Sequence, residues 1–428
     1  VDMLREWHTT VATLLGFRAR ENRARLLRRV EMYQASPEKV LEDADTIGDL
    51  AVLEPAQGGL EVVYGFPEQF IGLKSDKEVG RSKGDSVEAF EDETVYSGRL
   101  LWIDQAERKV CIGWSKVRPT APSFVYEVEG PLYPTPELAL VDFAELALGG
   151  PEAVRPSSRA VLEVPRPGFL VDDQTLSADD RALRSALEMN PGDVLVVQGP
   201  PGTGKSYLGG AIVAALAARG ERVAVTTQSH AAYQIVLEEA VKQGLTDRQV
   251  RIGTGGHPRW GEAKGDKLAA FLRDHHGAVA GGTKWTFAAD DVRGAFDALI
   301  VDEAGQYALA DLVAISRCAA KIILLGDPQQ LPMVLAAEHP APADRSAMGH
   351  WLQGAGGHPT VPPEYGVLLT TTRRMHPLTT EFISQAFYEG RLTIHSQEQQ
   401  SQRVVISAPG EREYTASPLQ VMHLAHQD

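Results

Sequence analysis

Hydrophobic and polar positions alternate in three different ways along the chain, and each way predicts a different kind of structure. In residues 1–45 the apolar positions recur at helical spacing, so this stretch is predicted to be helical. In residues 46–132 short runs alternate between apolar and polar side chains, which is typical of antiparallel strands. In residues 169–355 continuous apolar runs alternate with helical patterns, which favours a parallel sheet covered by helices.

The first two regions are predicted to form a helical stalk, or the tail of a preceding domain, followed by a small antiparallel β-barrel. The clearest strands of the barrel region are 60–64, 94–103 and 109–114. Residues 133–168 are predicted to be a helix that begins at Thr135 and a Pro/Gly-rich linker over 149–168.

Six arginines lie close together in residues 17–30. Such a cluster either contacts nucleic acid or a partner, or forms a solvated helix face with salt bridges. The sequence leaves both interpretations open. The six are Arg18, Arg20, Arg23, Arg25, Arg28 and Arg29.

The third region predicts an α/β fold with a parallel, doubly wound sheet, in which loops at the carboxyl ends of the strands carry the chemistry. The predicted strands are 194–198, 222–227, 298–301 and 321–325. The predicted helices are 205–218 and 231–243.

A glycine-rich segment follows the first of these strands and opens a helix, which is the context that a phosphate-binding P-loop requires. Its glycines let the backbone curl so that N–H groups face phosphate oxygens. Lys205 is predicted to reach the β- and γ-phosphates of ATP, and the Ser206 hydroxyl to bind Mg²⁺. The predicted nucleotide-binding residues are Gly199, Pro200, Pro201, Gly202, Thr203, Gly204, Lys205 and Ser206.

Two acids end the strand at 298–301. Asp302 is predicted to hold Mg²⁺, and Glu303 to orient and deprotonate the water that attacks ATP. A third loop, Gly326-Asp-Pro-Gln-Gln-Leu-Pro332, follows the strand at 321–325, and its Gln330 is a candidate sensor of the γ-phosphate. These residues predict ATP hydrolysis rather than nucleotide binding alone.

The segments GPPGTGKS, DEAGQ and GDPQQLP, followed by Arg373-Arg374-Met375-His376-Pro377, resemble motifs I, II, III and IV of superfamily 1 helicases. The resemblance is greatest to the 1B branch, which includes the nonsense-mediated-decay helicase. It implies two RecA-like domains, 169–355 and 356–428, of which the second is expected to be only partly present. It further implies 5′→3′ movement on single-stranded DNA or RNA.

The same resemblance assigns roles to residues outside the P-loop. Arg374 matches the arginine that comes from the second domain and completes the ATP site, and such an arginine typically accelerates hydrolysis by about 10³–10⁵-fold. Arg373 occupies the position of a residue that is commonly aromatic and stacks on the base, which a guanidinium plane can also do. The glutamine that reads adenine in the family has its nearest equivalent in Asp180, so selectivity for adenine is open.

Candidate contacts to nucleic acid come from two further segments. The segment VAVTTQSHAA resembles motif Ia and implies that Ser229 and His230 lie near the nucleic-acid backbone. Gly282–Thr283 resembles motif Ic, which implies a second backbone contact at Thr283. In the N-terminal third, the segments Leu15-Gly-Phe-Arg-Ala-Arg-Glu21 and Tyr64-Gly-Phe-Pro-Glu-Gln69 are similar to bacterial fusions of a RecB-like nuclease to a 1B helicase. This resemblance implies an accessory role for the barrel and a possible nuclease domain outside this segment.

Bulk composition adds few constraints to this interpretation. The net charge of −15 does not favour a protein that coats duplex DNA, but a translocase needs only a narrow basic groove. No apolar run has the length of a membrane span, and two distant cysteines are typical of a reducing compartment, so a cytoplasmic location is expected.

The alternative function is an ATP-gated clamp that binds nucleic acid without unwinding it.

Overall fold

The structure, a computed structural model, describes residues 2–55, 59–73, 85–91, 94–127 and 135–396. The chain divides into two compact units, a larger one of residues 1–18 and 134–428 and a smaller one of residues 19–133. The predicted division at residue 45 therefore differs from the division that the packing gives, which falls inside the second helix.

The helices account for the predicted helical N-terminal stretch and alternate with strands in the larger unit. They are α1 (Asp2–Leu15), α2 (Phe17–Tyr33), α3 (Pro37–Glu42), α4 (Thr135–Ala147), α5 (Pro156–Glu163), α6 (Ala178–Glu188), α7 (Lys205–Ala218), α8 (His230–Lys242), α9 (Gly265–Asp274), α10 (Lys284–Phe287), α11 (Leu309–Ser316), α12 (Ala347–Gly354) and α13 (Pro377–Phe387). Within the described residues, none of these helices is long and apolar enough to cross a membrane.

The strands form one sheet in each unit and a further two-stranded pair. They are β1 (Thr46–Gly48), β2 (Ala51–Pro55), β3 (Glu61–Gly65), β4 (Ser86–Glu91), β5 (Thr94–Asp104), β6 (Lys109–Trp114), β7 (Phe124–Glu127), β8 (Val194–Gln198), β9 (Val223–Thr226), β10 (Val250–Ile252), β11 (Gly261–Glu262), β12 (Val279–Gly282), β13 (Phe296–Val301), β14 (Ala319–Gly326), β15 (Val367–Leu368), β16 (Thr371–Thr372) and β17 (Thr393–Ile394).

The smaller unit is built on an antiparallel sheet with the strand order β1-β7-β4-β5-β6-β3-β2. Alternate side chains of β3 are buried, as the alternating pattern predicts, whereas β4 and β6 each bury three consecutive residues. In the core of this unit the Trp114 indole donates a hydrogen bond to the Tyr64 hydroxyl at 3.1 Å. Among the described residues no pairing joins β1 to β2, so closure of this sheet into a barrel stays a prediction.

Ion pairs account for part of the arginine cluster in α2. The Arg29 guanidinium donates two hydrogen bonds to the Glu88 carboxylate, at 2.6 and 3.0 Å, and the Tyr126 hydroxyl donates to the same carboxylate at 2.7 Å. Arg28 bonds to Asp43 at 2.6 Å. For these two arginines the salt-bridge interpretation is correct, because their guanidinium groups bind acids of the smaller unit.

The larger unit contains the predicted parallel sheet, with the strand order β11-β10-β12-β9-β13-β14-β8-β15 and parallel pairing throughout. The strands β8 and β9 are completely buried, as their continuous apolar sequences predict. Because all the strands run in the same direction, the residues that follow β8, β9, β12, β13 and β14 meet at one edge of the sheet. The α/β prediction for this region is confirmed.

The predicted linker at 149–168 is instead a packed segment that contains α5. Pro156 occupies the start of that helix, where its fixed backbone angle is favourable. The Ser157 hydroxyl donates to the Ala319 carbonyl at 3.0 Å, and the Ser158 hydroxyl lies 2.6 Å from that of Ser316. The proline and glycine content suggested a linker, but the apolar positions of α5 bury one face of the helix.

Residues beyond 355 extend the same parallel sheet. Strand β15 pairs with the end of β8, and the Leu369 N–H donates to the Gln198 carbonyl at 2.9 Å. Strands β16 and β17 form a separate parallel pair. The predicted second domain at 356–428 therefore begins with residues that are hydrogen-bonded to the P-loop strand, and its last part, 397–428, lies outside the described residues.

Candidate nucleotide-binding site

The P-loop connects the end of β8 to the start of α7. Gly202 and Gly204 adopt left-handed backbone angles, with φ of 76° and 90°, which side chains with a Cβ rarely tolerate. The Gly199 N–H donates to the Gly326 carbonyl at 2.8 Å, and the Lys205 ammonium donates to the Gly199 carbonyl at 2.7 Å. The loop thus curls around the Lys205 side chain at the start of a helix, where free N–H groups favour anions.

Asp302 lies directly after β13 and is only 3% exposed. Its burial raises the pKa of the carboxyl to about 6, and the neighbouring Glu303 contributes to the rise. The positive charge of Lys205 and a hydrogen bond with the Ser206 side chain oppose this effect. The structure therefore brings together Lys205 and Ser206 from the P-loop with Asp302 and Glu303 from the end of β13, which is separated from β8 by β14.

Glu303 has a left-handed backbone with a φ of 56°, which costs about 1–2 kcal/mol for a residue with a Cβ. Its N–H donates to the Asp302 carboxylate at 2.9 Å. The next N–H, that of Ala304, donates to the Leu325 carbonyl of β14 at 2.8 Å. These bonds turn the chain sharply after Asp302, and such strain is often found at functional sites.

The loop after β13 packs directly on the loop after β14 through two glycines. A Cβ on Gly305 would lie 2.5 Å from the Asp327 carbonyl oxygen, and a Cβ on Gly326 would lie 2.7 Å from the Ala304 nitrogen. Neither glycine has an unusual φ, so close approach rather than backbone conformation requires a glycine at both positions. This contact holds the loop that carries Gln330 against the loop that carries Glu303.

Gln330 is bound to a buried carboxylate. Its amide donates to Asp327 Oδ2 at 2.8 Å, and the Tyr388 hydroxyl donates to the same oxygen at 2.6 Å. The other oxygen, Oδ1, accepts hydrogen bonds from the Gln198 amide and the Gln329 N–H, both at 3.2 Å. Burial, together with the hydrogen bond to Asp327, raises the pKa of the Tyr388 hydroxyl, which therefore remains a donor at neutral pH.

The segment with the two predicted arginines lies on the P-loop and is attached mainly through backbone atoms. The Arg373 N–H donates to the Gly202 carbonyl at 2.8 Å, and the Thr372 hydroxyl donates to the Pro201 carbonyl at 2.9 Å. A Cβ on Gly202 would lie 2.5 Å from the Arg374 Cβ. Both arginines are thus adjacent to the P-loop, as their predicted roles require.

The Arg373 guanidinium lies between the P-loop and the start of α6. It donates to the Thr203 carbonyl at 3.3 Å and lies 3.7 Å from the Asp179 carboxylate. Burial raises the pKa of Asp179, and Arg373 opposes the rise. Asp180, the predicted equivalent of an adenine-reading glutamine, instead accepts a hydrogen bond from the Ser177 hydroxyl at 2.7 Å in the cap of α6. The acid that faces Arg373 is therefore Asp179.

Ser229 and His230 form the start of α8, after β9. The Ser229 hydroxyl accepts the Ala232 N–H at 3.2 Å as the helix cap. His230 Nδ1 lies 3.3 Å from the Tyr233 hydroxyl, which itself donates to the Thr254 carbonyl. Both predicted nucleic-acid residues have structural hydrogen bonds at the edge of the sheet that carries the P-loop.

Thr283 is only 6% exposed, and its carbonyl accepts the Thr286 N–H at 2.9 Å at the start of α10. The exposed side chain of this turn is Trp285, 40% exposed, with the Lys284 ammonium 5.0 Å from its ring centre. Because β9 and β12 are parallel neighbours, this turn lies at the same edge of the sheet as Ser229.

Four residues of the site were not found from the sequence. Gln198 ends the strand before the P-loop, and Asp327 lies in the loop that follows the strand at 321–325. A polar side chain at the end of a buried strand could have identified both as candidate site residues. Thr372 and Tyr388 carried no signal, because their partners, Pro201 and Asp327, are distant in sequence.

The described residues contain no cluster of three or more His, Cys, Asp or Glu side chains that would hold a metal ion by themselves. The Ser206 hydroxyl and the Asp302 carboxylate fit Mg²⁺, since Mg²⁺ prefers oxygen ligands and takes only one or two from the protein at nucleotide sites.

The family comparison covers the segment that contains these loops. Residues 175–341 match the family model of an AAA domain. The matched range includes the P-loop, Asp302, Glu303 and the loop with Gln330, so this part of the chain is similar to AAA-type nucleotide-binding domains. A search of curated proteins gave no significant match.

Solved structures that resemble the chain include three helicases at low similarity. Arterivirus nonstructural protein 10 (helicase) with DNA is 16% identical with a TM-score of 0.33 over 55% of this chain and 48% of that one. The PRRSV helicase is 13% identical with a TM-score of 0.33 over 77% and 56%. The UvsW helicase from bacteriophage T4 is 15% identical with a TM-score of 0.28 over 36% and 52%. The chain spans about half the length of these structures, and TM-scores of this size do not show a shared overall fold.

Proposed function

We propose that this chain hydrolyses ATP as part of a helicase or translocase that acts on single-stranded DNA or RNA. The observation that supports the proposal best is the convergence of Lys205, Ser206, Asp302 and Glu303 at one edge of a parallel sheet. The sequence resemblance to superfamily 1B helicases and the match to an AAA domain agree with this site.

In the proposed mechanism the P-loop binds the phosphates of ATP, and Lys205 leaves the Gly199 carbonyl to contact the β- and γ-phosphates. Ser206 and Asp302 would hold Mg²⁺, which when bound would neutralise charge on the phosphates. Glu303 orients the attacking water and accepts its proton. Gln330 contacts the γ-phosphate, and Arg374 stabilises the transferring phosphoryl group.

The proposed route for the nucleic acid crosses the edge of the sheet that carries the P-loop. The starts of α8 and α10, which contain Ser229, His230 and Thr283, lie there after parallel strands. The exposed Trp285 ring can stack on a base, which contributes about 1–3 kcal/mol per stacked base. By resemblance the smaller unit is an accessory barrel domain, movement is 5′→3′, and a nuclease domain accompanies this segment in the whole protein.

Strand displacement by the full-length protein tests the proposal against the ATP-gated clamp. We expect ATP-dependent release of a labelled strand from a duplex with a 5′ single-stranded tail, and loss of release in Lys205→Ala. Lys267→Ala, which removes an exposed lysine of α9 outside the P-loop, is a matched control for expression and folding. Nucleotide-dependent binding to single strands without displacement would favour the clamp instead. Displacement that survives Lys205→Ala would contradict the proposed site.

A further inference from the structure

The Asp327 carboxylate is only 2% exposed, and four donors saturate its two oxygens. A buried carboxylate is costly unless it is fully hydrogen-bonded, so the four donors fix its position. The donors come from three separate parts of the larger unit: the end of β8, the loop after β14, and the residue that follows α13.

This carboxylate determines which way the Gln330 amide points. A side-chain amide has one donor end and one acceptor end, and an ionised carboxylate can only accept. Gln330 must therefore turn its NH₂ group toward Asp327, which uses one of the two N–H groups at 2.8 Å. The second N–H remains available to a phosphate oxygen. If the amide rotated by half a turn, its carbonyl oxygen would face a carboxylate oxygen and repel it.

Tyr388 shares the same carboxylate oxygen with Gln330. Its hydroxyl donates to Asp327 Oδ2 at 2.6 Å, and its ring is buried. Without this bond, Oδ2 would have one donor instead of two, and the carboxylate could rotate toward other donors. Tyr388 follows α13, and α13 begins three residues after Arg374. The hydroxyl therefore joins the chain segment of the predicted arginine finger to the segment of the predicted γ-phosphate sensor.

We infer that Tyr388 is a positioning residue for ATP hydrolysis: through Asp327 it holds the Gln330 amide in the orientation that presents an N–H to the γ-phosphate. The inference rests on the proposed function, because it takes Gln330 as the group that contacts the γ-phosphate. Tyr388 itself contacts neither ATP nor water in this role. Its contribution is therefore expected in the catalytic step and not in nucleotide affinity.

Steady-state hydrolysis of ATP with single-stranded oligo(dT), measured for four variants of the full-length protein, tests the inference. Tyr388→Phe keeps the ring and removes only the hydroxyl. We expect about a tenfold lower kcat, equivalent to about 1.4 kcal/mol, with an unchanged KM for ATP, because the Gln330 amide is no longer held in one orientation. Tyr365→Phe, which removes a hydroxyl outside this network, is the matched control and should leave kcat unchanged.

The decisive comparison is the double variant Tyr388→Phe/Gln330→Ala against Gln330→Ala. If Tyr388 acts through Gln330, the double variant hydrolyses ATP as fast as Gln330→Ala alone, because the group to be positioned is already absent. The inference would be overturned if the two single losses of kcat multiplied in the double variant. It would also be overturned if Tyr388→Phe raised the KM for ATP or failed to fold, because Tyr388 would then be a structural residue. An unchanged kcat in Tyr388→Phe would also overturn it.

A further variant separates this inference from the proposed function. Hydrolysis that is lost in Lys205→Ala but unaffected by Tyr388→Phe leaves the proposed function intact and rejects only the role of Tyr388. Hydrolysis that survives Lys205→Ala rejects the proposed site and, with it, the role of Tyr388.

Discussion

Gly305 lies so close to Asp327 that a Cβ on the glycine would be 2.5 Å from the Asp327 carbonyl oxygen. The contact joins the loop of the candidate catalytic base to the loop of the candidate phosphate sensor. Gly305→Ala should therefore push the two loops apart, and overpacking of this kind typically costs about 1–3 kcal/mol. We expect at least about a tenfold loss of ATP hydrolysis, measured together with thermal unfolding.

Gly168→Ala is the matched control for this change, because a Cβ at Gly168 would meet no atom within 4 Å. It should leave both hydrolysis and the unfolding temperature near those of the unmodified protein. Equal activity in Gly305→Ala and Gly168→Ala would show that the contact between the loops does not matter for the site.

Glu303→Gln should bind ATP but hydrolyse it much more slowly. The amide keeps the size of the side chain and cannot accept the proton of the attacking water, and general-base catalysis typically contributes about 10²–10⁴-fold. Binding of a fluorescent ATP analogue and single-turnover hydrolysis measure the two effects separately. The exposed Glu364→Gln is the control. Near-normal turnover in Glu303→Gln would remove Glu303 from the role of base.

Replacing Arg374 and replacing Arg373 by alanine should affect different properties, stimulated hydrolysis in the first case and nucleotide affinity in the second. Arg374→Ala is expected to keep ATP affinity within a few fold and to lose about 10³-fold or more of the hydrolysis stimulated by nucleic acid. Arg373→Ala is expected to weaken nucleotide binding, because its guanidinium lies against the P-loop carbonyl of Thr203 and near Asp179. Titration with ATP measures the nucleotide affinity of each variant, and hydrolysis assays with nucleic acid measure the stimulation. The reverse assignment would follow if Arg373→Ala lost stimulation at normal affinity.

Asp302→Asn should make the metal-free protein more stable near neutral pH. Burial, with Glu303 nearby, raises the pKa of Asp302 from 3.8 to about 6, so the folded state binds a proton more tightly than the unfolded state. The contribution of this carboxyl group to the free energy of unfolding is therefore fully present below about pH 4 and is lost as the pH rises through about 6. At pH 7 the substitution should increase the free energy of unfolding by up to about 3 kcal/mol, since one pKa unit equals 1.36 kcal/mol.

Urea unfolding with a metal chelator at about pH 7 and about pH 4 checks this prediction, and the difference between the two proteins should vanish at the lower pH. The same substitution should abolish magnesium-dependent hydrolysis. A variant that is less stable at neutral pH would mean that the hydrogen bonds of the Asp302 carboxylate outweigh the cost of its burial.

Asp311 is predicted to be a strong contributor to stability. It is buried and binds two cations, Lys284 at 2.6 Å and Arg18, and these charges overcome the effect of burial and lower its pKa. Asp311→Ala would leave both cations without this partner, which typically costs about 3–5 kcal/mol in the free energy of unfolding. Chemical denaturation measures the loss. Glu152→Ala, which breaks a pair with Arg159 from an exposed side chain, should cost less than about 1 kcal/mol.

The sequence predicted the parts of the site that depend on local pattern. The strand, loop and helix around Lys205 are specified by adjacent residues, and Asp302 follows an apolar strand whose neighbours are parallel. Contacts between distant segments could not be predicted. Tyr388 is 61 residues from Asp327, and no periodicity relates the two.

Very short elements could not be predicted from the sequence either. Strand β15 has two residues, too few for any repeating pattern, although it extends the main sheet next to the P-loop strand. Helix α5 was not predicted, because the many prolines and glycines in residues 149–168 are typical of a linker and the helix has few apolar positions.

The docking of the segment from Val367 to Arg373 onto β8 and the P-loop is made largely by peptide groups, through the strand pairing, the Leu369 N–H and the Arg373 N–H. Every amino acid except proline supplies such a group, so this attachment is insensitive to which side chains the segment carries. In the role that the family resemblance gives to Arg373, its side chain stacks on the nucleotide base. We therefore expect substitutions at position 373 to change the base preference while the backbone attachment of this segment is kept.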